Sequence, residues 1–237
     1  MQLALDTSTS IASIALAEKG EVMAELTWHT DQNHSVELLP NLNHLLQLAK
    51  TDLKSVDAFI VAKGPGSYNG LRVGLSTAKG LAFALEKPIV GVGTLEAEAF
   101  PHALSGLPVC VLQPAGASEI ATATFQMRSG KWAQLEEERL TKLETLAEQI
   151  AEKTLFCGET LSGMAAQLSE LLKEKAVFPS KSSLLRRAGC LAELGWIRLQ
   201  EGKTDDVATL QPIYLRRPQI TQPRTSPTTL TSGRQDG

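Results

Sequence analysis

The chain has 237 residues with 43% hydrophobic and 21% charged side chains, a balance typical of a globular protein with one large domain or two small ones. The formal net charge of -3 argues against a protein that binds nucleic acid through its overall charge. No apolar run approaches the length needed to cross a membrane, so we expect no membrane association. Any role on RNA must then come from a local surface or from a partner protein.

Two further features predict a cytoplasmic protein. Cys110, Cys157 and Cys190 lie far apart in apolar surroundings, which is typical of reduced core thiols. The apolar N-terminus is interrupted by Asp6 and has no basic segment before it, so we expect no signal peptide.

The first half of the chain has the pattern βββ-α-β-α-β-α. Pro40 falls inside the first predicted helix, so either the helix begins there or its first turn is kinked. Apolar periodicity predicts strands at 2–6, 11–17, 22–28, 56–62 and 89–92, and helices at 35–50, 70–85 and 95–104.

The second half repeats the pattern βββ-α-β-α and adds one helix. Thr141 and Glu144 have the spacing of a capping box. Strands are predicted at 109–112, 120–127, 132–138 and 155–158, and helices at 141–151, 161–173 and 183–201.

This repetition predicts an α/β protein of two duplicated subdomains, at 1–106 and 107–217, with a cleft between them. The remaining segment, 218–237, is rich in proline and hydroxyl side chains and poor in apolar ones. It cannot bury enough apolar surface to offset its conformational entropy, so we predict a disordered tail.

A glycine-rich loop at 64–70 (GPGSYNG) joins a predicted strand to a predicted helix. Proline presets φ and glycine permits positive φ, so the loop is expected to be a fixed turn, with Ser67 or Asn69 capping the helix. Such a unit directs backbone N–H groups and the positive helix end at one place. The loop lacks the Gly-Lys-Ser/Thr ending of a Walker A motif, which argues against a P-loop nucleotidase.

Small residues recur at every fourth position of the helix after this loop. Gly70, Gly74, Ala78 and Ala82 share one helix face, and a face of small residues lets another backbone approach closely. Glycines inside a helix cost roughly 1 kcal/mol each relative to alanine, so a compensating contact is expected. It is either close packing on the chain's own sheet or docking of a partner protein.

Polar residues at the end of the first strand form a second candidate site. Asp6 is followed by a hydroxyl-rich turn at 7–10. The simplest interpretation is that Asp6 caps this turn. The alternative is a corner that holds phosphate and metal, as suits a fold built from two such halves.

Catalytic motifs are missing elsewhere in the sequence. The second half has no glycine-rich adenosine loop, and the chain has neither a nucleophile elbow nor a reactive-cysteine motif. We therefore predict no catalytic residues and no bound metal. The histidines do not have the spacing of a helical metal pair: His29, His34, His44 and His102.

Five stretches together resemble the TsaB (YeaZ) family. They cover most of the chain, and the glycine-loop stretch is the most specific of them. The stretches are LALDTST at 3–9, NHSVELLP at 33–40, GPGSYNGLRVGLSTAKGLA at 64–82, GVGTLEA at 91–97 and PIYLR at 212–216.

The resemblance implies an actin/Hsp70/sugar-kinase-like fold and a non-catalytic role in making threonylcarbamoyladenosine in tRNA, beside the anticodon. It implies a heterodimer with TsaD, which carries the metal site and performs the transfer, and recruitment of the ATPase TsaE. The chain would then contact tRNA only indirectly and hold no cofactor of its own, with ATP and metal in the partners. A homodimer of the chain when it is alone stays an open alternative.

The resemblance and the small-residue face together direct attention to two sets of residues. A partner interface is expected on the helices at 35–50 and 70–85, through Leu38, Leu39, Leu42, Gly70, Arg72, Val73, Gly74, Thr77, Ala78 and Leu81. Residues near a nucleotide or phosphate are expected to be Asp6, Thr7, Ser8, Gly64, Gly66 and Ser67.

The sequence departs from the family in one loop. Family members carry an Asp-Ala-Arg stretch after the strand at 109–112, whereas this chain has QPAGAS at 113–118. Both charges are therefore absent, which puts a function of that loop in doubt for this member.

Two other functions are compatible with the sequence. An active ATP-dependent phosphotransferase of the same fold would need a catalytic carboxylate across the cleft from Asp6 and an adenosine pocket. A metal-dependent peptidase would need metal ligands. Tight ATP binding by the isolated chain would favour the first function, and metal in the purified protein would favour the second.

Overall fold

The computed structural model describes residues 1–31, 33–116 and 118–216, which form two five-stranded sheets with helices on both faces. The predicted disordered tail at 218–237 lies outside the described residues. The three cysteines have free thiols, as predicted.

The first sheet has the strand order β3-β2-β1-β4-β5. The first three strands are antiparallel, whereas the last two run parallel to β1. The strands are β1 (Gln2–Asp6), β2 (Ile11–Glu18), β3 (Glu21–His29), β4 (Ala58–Ala62) and β5 (Ile89–Val92), and the helices of this half are α1 (His34–Leu48), α2 (Tyr68–Ala84) and α3 (Thr94–Ala99), with short 3-10 helices at Leu53–Ser55 and Phe100–Ser105.

The second sheet has the order β10-β9-β6-β7-β8 and the same pattern of antiparallel and parallel neighbours. Its elements are β6 (Val109–Pro114), β7 (Ile120–Arg128), β8 (Lys131–Thr141), α4 (Leu143–Gln149), β9 (Thr154–Cys157), α5 (Leu161–Leu172), β10 (Ala176–Val177) and α6 (Ala188–Gln200), with 3-10 helices at Lys173–Lys175 and Lys181–Ser183. The shared topology confirms the predicted duplicated α/β architecture.

Alternation along β1 shows how the first sheet is covered on both faces. Leu3 and Leu5 belong to the core beneath α1 and α2, whereas Ala4 belongs to the core beneath α6. Small side chains on the second face let α6 approach closely, and a Cβ at Gly195 of α6 would lie 2.4 Å from Ile60 Cδ1. Glycine therefore fits this contact because a larger residue would collide with the sheet.

The position of α6 corrects the predicted subdomain boundary. The sequence placed all of 107–217 in the second subdomain, but α6 packs on β1 and β2 of the first. The chain then stays with the first sheet, because Asp205 N–H donates to Ile89 O (2.9 Å) and Ile213 N–H donates to Lys63 O (2.7 Å). The apolar stripe of α6 is better buried on the alanine-rich face of the first sheet than left in solvent.

Three predicted helices begin or end elsewhere. The helix at 183–201 begins only at Ala188, because Arg186 is drawn into a buried ion pair and Arg187 is extended. The helix at 95–104 becomes α3 followed by a 3-10 helix with Pro101 in its first turn. The helix at 141–151 begins at Leu143.

The predicted capping box at this last helix is wrong. Thr141 ends β8, and its hydroxyl donates to the carbonyl of Lys142 (3.4 Å). Glu144 instead accepts a hydrogen bond from Gln167 of α5 (2.8 Å). Strand pairing of Thr141 with Ile120 outweighs the local capping signal.

Pro40 lies inside α1, which begins at His34 and not at the proline. A proline at this position leaves the carbonyl of Val36 without its helical donor. Val36 is 71% exposed and Pro40 is exposed as well, so water can hydrogen-bond to that carbonyl.

Candidate functional site

The glycine loop packs directly on the turn that follows β1. Ser67 N–H donates to Ser8 O (2.6 Å), and a Cβ at Gly66 would lie 2.4 Å from the same oxygen. Gly64 has a φ of +104°, which favours glycine. Ser67 caps α2 by accepting from Gly70 N–H (3.4 Å). Two of the backbone donors of the loop, Ser67 N–H and Gly70 N–H, are therefore used inside the protein.

Thr7 explains two of the three glycines of α2. Its hydroxyl donates to Gly70 O (2.7 Å). A Cβ at Gly70 would lie 2.0 Å from Thr7 O, and a Cβ at Gly74 would lie 2.3 Å from Thr7 Oγ1. The geometry supports close packing on the chain's own sheet as the reason for these glycines.

This contact gives a prediction with an internal control on the same helix. Gly74→Ala forces the Thr7 side chain to move, and we expect a loss of about 1–3 kcal/mol in the free energy of unfolding, as is typical of overpacking. Gly80→Ala is the control, because a Cβ at Gly80 meets nothing within 4 Å among the described residues. This second change should stabilise the protein by about 0.5–1 kcal/mol. Chemical denaturation measures both, and equal effects would contradict the Thr7 contact.

A buried ion pair occupies the corner at the end of β1. Arg186 Nε donates to Asp6 Oδ2 (2.5 Å), and both side chains are 1% exposed. The other Asp6 oxygen accepts from Ser8 N–H (2.9 Å) and from Ser8 Oγ (2.6 Å). Asp6 thus caps its turn, as the simpler interpretation expected, and its charge is also neutralised from within the chain.

Two glutamates, one from each half of the chain, complete this cluster. Glu159 Oε1 lies 3.3 Å from Arg186 Nη2 and accepts from Thr9 Oγ1 (3.0 Å). Glu98 accepts from Glu159 N–H (2.6 Å). Burial raises the pKa of the Glu98 carboxyl to about 7, against the opposing influence of the Arg186 charge. The cluster joins the two subdomains through charged and hydrogen-bonded groups.

A cavity of about 410 Å³ opens between the subdomains beside this cluster. Its walls combine hydroxyl, carboxyl and apolar groups from the first turn, the glycine loop, the loop after β6 and the C-terminal segment. They include Ser8, Ser10, Gly66, Glu98, Gln113 and Tyr214.

The six residues expected near a nucleotide or phosphate thus lie together at this corner. Asp6, Thr7, Ser8 and Gly64 are buried, whereas Gly66 and Ser67 are exposed. The contacts of Asp6, Ser8 and Ser67 within the chain occupy groups that a phosphate or a cation would otherwise use.

The structure divides the expected interface residues into two groups. The buried ones belong to the core and cannot contact a partner directly, which corrects the sequence expectation for Leu38, Leu42, Gly70, Gly74 and Ala78. The exposed or half-buried ones face outward and stay candidates for contact: Leu39, Arg72, Val73, Thr77 and Leu81.

An outward groove lies where α1 and α2 meet. It measures about 320 Å³, and Leu39, Arg72, Val73 and Thr77 are among the residues that line it. Large apolar side chains are also exposed on both helices: Val36 (71%), Leu39 (55%), Leu48 (57%) and Phe83 (78%). Large apolar side chains are exposed elsewhere as well, as at Met23 and Leu104, so the groove and these side chains together make α1 and α2 a candidate protein–protein interface.

Sequence reasoning missed several residues that organise these sites. Arg186, Glu98 and Glu159 meet Asp6 only through the tertiary fold. A run of two arginines after apolar residues, SLLRR at 183–187, is a weak signal that one of them is buried. Tyr214 falls in the PIYLR stretch, but its contact with Arg72 joins residues 142 positions apart.

Residues 1–31, 33–116 and 118–216 contain neither a cluster of metal ligands nor a membrane-spanning helix. No group of three or more His, Cys, Asp or Glu side chains in this part of the chain is arranged to hold a metal ion. Across the same ranges, no helix is both long and apolar enough to cross a bilayer.

The proteins to which this chain is similar in sequence have names from one pathway, the synthesis of threonylcarbamoyladenosine in tRNA. The family model described as TsaD: tRNA N6-adenosine threonylcarbamoyltransferase matches residues 21–221. The tRNA threonylcarbamoyladenosine biosynthesis protein TsaB of Bacillus subtilis is 32% identical over 218 residues, which cover 90% of this chain and 93% of that protein. TsaB of Escherichia coli is 31% identical over 220 residues, covering 90% and 94%. A tRNA N6-adenosine threonylcarbamoyltransferase of Bartonella bacilliformis is 35% identical over 115 residues, covering 42% and 32%.

The solved structures that superpose on this chain lead to the same family. YeaZ from Pseudomonas aeruginosa superposes with a TM-score of 0.77 at 28% identity, covering 90% of this chain and 99% of that chain. The ethanolamine utilization protein EutJ from Carboxydothermus hydrogenoformans shares the fold alone, with a TM-score of 0.50 at 16% identity over 81% of this chain and 89% of that one. The fold is therefore the actin/Hsp70/sugar-kinase-like fold that the sequence predicted. On its sequence relatives and its structure, the chain belongs to the TsaB (YeaZ) family.

Proposed function

We propose that this chain is a non-catalytic subunit required for threonylcarbamoyladenosine modification of tRNA, and that it acts by pairing with TsaD. The names of its relatives support the pathway, because TsaB of Bacillus subtilis and of Escherichia coli are both named as biosynthesis proteins for this nucleoside.

The observation that carries the non-catalytic assignment is the ion pair between Asp6 and Arg186. A carboxylate at the end of β1 can hold a metal or activate a group only if its charge is available. Here the Arg186 guanidinium neutralises that charge, with Nε 2.5 Å from Asp6 Oδ2. Both side chains are almost wholly buried from solvent. A substrate or cation would have to displace a buried guanidinium, at a large cost in free energy.

The glycine loop supports the same assignment. A phosphate-binding loop offers its backbone N–H groups to the ligand. In this chain Ser67 N–H donates to Ser8 O, and Gly70 N–H donates to the Ser67 hydroxyl. These contacts favour a structural role over the alternative of an active phosphotransferase.

The surface of α1 and α2 supports pairing with TsaD. The chain resembles a threonylcarbamoyltransferase over 115 residues, so the two proteins are expected to share helices of this kind. Related folds can then pack the same face of each against the other, as the two subunits of a symmetric dimer do. The same face would serve a homodimer when the chain is alone.

The remaining parts of the proposal follow from this division of labour. TsaE would join the pair of TsaD and this chain, tRNA would be contacted mainly by the partners, and ATP and metal would be bound by them. We place the assembly in the cytoplasm, where tRNA is modified.

Reconstitution tests the proposal. With TsaD, TsaE, tRNA, threonylcarbamoyl-adenylate and ATP of the same organism, we expect modified nucleoside only when this chain is added. The chain alone should give no modified tRNA and no ATP hydrolysis above buffer, because its carboxylate corner is neutralised. Nucleoside analysis of digested tRNA measures the product. Modification by the isolated chain, or full modification without it, would overturn the assignment.

A further inference from the structure

The C-terminal segment crosses from the first subdomain to the second. Ile213 N–H donates to Lys63 O (2.7 Å), which fixes the segment beside the glycine loop. A Cβ at Gly64 would lie 2.7 Å from Ile213 O, so the two backbones approach closely. Three residues later, Arg216 forms an ion pair with Glu119 of the second subdomain. Tyr214 is thus held between two anchored positions.

Tyr214 takes part in a stack of side chains at this crossing. Its ring lies 5.2 Å from the ring of Tyr68, measured between centroids. The guanidinium of Arg72 lies 4.1 Å from the centroid of Tyr68, and Arg72 Nε donates to Tyr214 Oη at 3.4 Å. Two tyrosines from distant parts of the chain therefore hold one arginine in place.

Arg72 links this stack to the outward groove between α1 and α2. It lines the groove together with Leu39 and Val73, and it is exposed. Within residues 1–31, 33–116 and 118–216, no carboxylate pairs with its guanidinium. An arginine that is fixed by its own chain yet lacks a counter-charge is suited to bind a carboxylate of a partner.

We propose that Tyr214 is a positioning residue of the partner surface, which holds Arg72 in the orientation that binds an acidic side chain of the protein partner. This inference rests on the proposed function, since it adds the C-terminal segment to the surface of α1 and α2. The partner that fits has apolar side chains for the groove and an aspartate or glutamate at its edge. Fixing Arg72 before binding lowers the entropy lost on association.

The affinity of tyrosine variants for TsaD tests this role. Tyr214→Ala removes both the ring and the hydroxyl, and we expect the dissociation constant to rise about tenfold. Tyr214→Phe keeps the ring and loses one long hydrogen bond, so a rise of about twofold is expected. Leu104→Ala is the control, because it removes a side chain that is 94% exposed outside this surface, and it should leave the affinity unchanged.

A double-mutant cycle separates positioning from a general loss of structure. In an Arg72→Gln background, Tyr214→Ala should weaken binding by no more than about threefold, because the residue that it positions is gone. The affinity of the wild-type chain for TsaD should also fall as salt is added. The affinity of the Arg72→Gln variant should fall less steeply with salt. Equal effects of Tyr214→Ala in both backgrounds would refute positioning.

Two other outcomes separate this inference from the proposed function. Unchanged affinity of Tyr214→Ala, alongside loss of binding in a groove variant such as Leu39→Asp, would overturn the role of Tyr214 and leave the pairing with TsaD intact. Failure of the wild-type chain to bind TsaD would overturn both. If Tyr214→Ala weakens tRNA binding by the assembled complex and leaves pairing unchanged, Arg72 faces phosphate and the inference is wrong.

Discussion

Replacing Arg186 by methionine is expected to lower the free energy of unfolding by about 3–5 kcal/mol, because it leaves the Asp6 carboxylate buried without a counter-charge. For a chain of this length, such a loss corresponds to roughly 6–20 °C in melting temperature. The side chains of Arg186 and Asp6 are each 1% exposed, so water cannot replace the lost partner. Thermal denaturation followed by circular dichroism measures the change.

The neighbouring arginine is a matched control. Arg187 pairs with Glu25, but its side chain is 59% exposed. Arg187→Met should therefore cost no more than about 1 kcal/mol, as is usual for a surface ion pair. Comparable losses in the two variants would contradict the special role of the buried pair.

Removing both charges of the Asp6–Arg186 ion pair is a second test of its role. Asp6→Asn in the Arg186→Met background removes the stranded charge, and we expect the double variant to regain part of the lost stability. A double variant less stable than Arg186→Met would indicate that the Asp6 oxygens matter mainly through Ser8.

Replacing Leu39 by aspartate should raise the dissociation constant for TsaD about a hundredfold or more. Leu39 is 55% exposed and lines the groove between α1 and α2, so it is expected to be buried by the partner. The aspartate removes the apolar contact at this position, and its carboxylate lies in the same groove as Arg72, where it competes with the acidic side chain of the partner. The isolated variant should unfold within a few degrees of the wild type, because an exposed position rarely changes stability strongly.

Most of the fold could be predicted from local patterns. β1, β2 and β4 are continuous or alternating apolar runs. The start of α2 is predicted by the glycines of the preceding loop and by Ser67, which caps the helix. These signals depend on residues that are near one another in sequence. The repeated order of elements then specifies the duplicated architecture.

The site was harder to predict because its contacts are long-range. Arg186 and Asp6 are 180 residues apart. The pair delays the start of the predicted helix to Ala188, so the helical period at 183–201 concealed it. The row of small residues on α2 was also compatible with two interpretations, internal packing and docking of a partner protein. Only the 2.3 Å approach of Thr7 Oγ1 to a Cβ at Gly74 assigns that row to internal packing.

The path of α6 was likewise beyond local patterns. Its apolar stripe suits either sheet, and the choice depends on the alanines that β1 and β2 present on one face. Tyr214 shows the same limit, since nothing near it in sequence indicates that it meets Arg72.

The proposed function depends on pairing of this chain with TsaD through α1 and α2. Isothermal titration of TsaD with the wild-type chain, Leu39→Asp and Leu104→Asp tests it most directly, since both variants place a carboxylate on an exposed leucine of the first subdomain. We expect a saturable complex with the wild type and with Leu104→Asp, and loss of binding with Leu39→Asp. Equal affinity of all three proteins, or absence of a complex with the wild type, would contradict it.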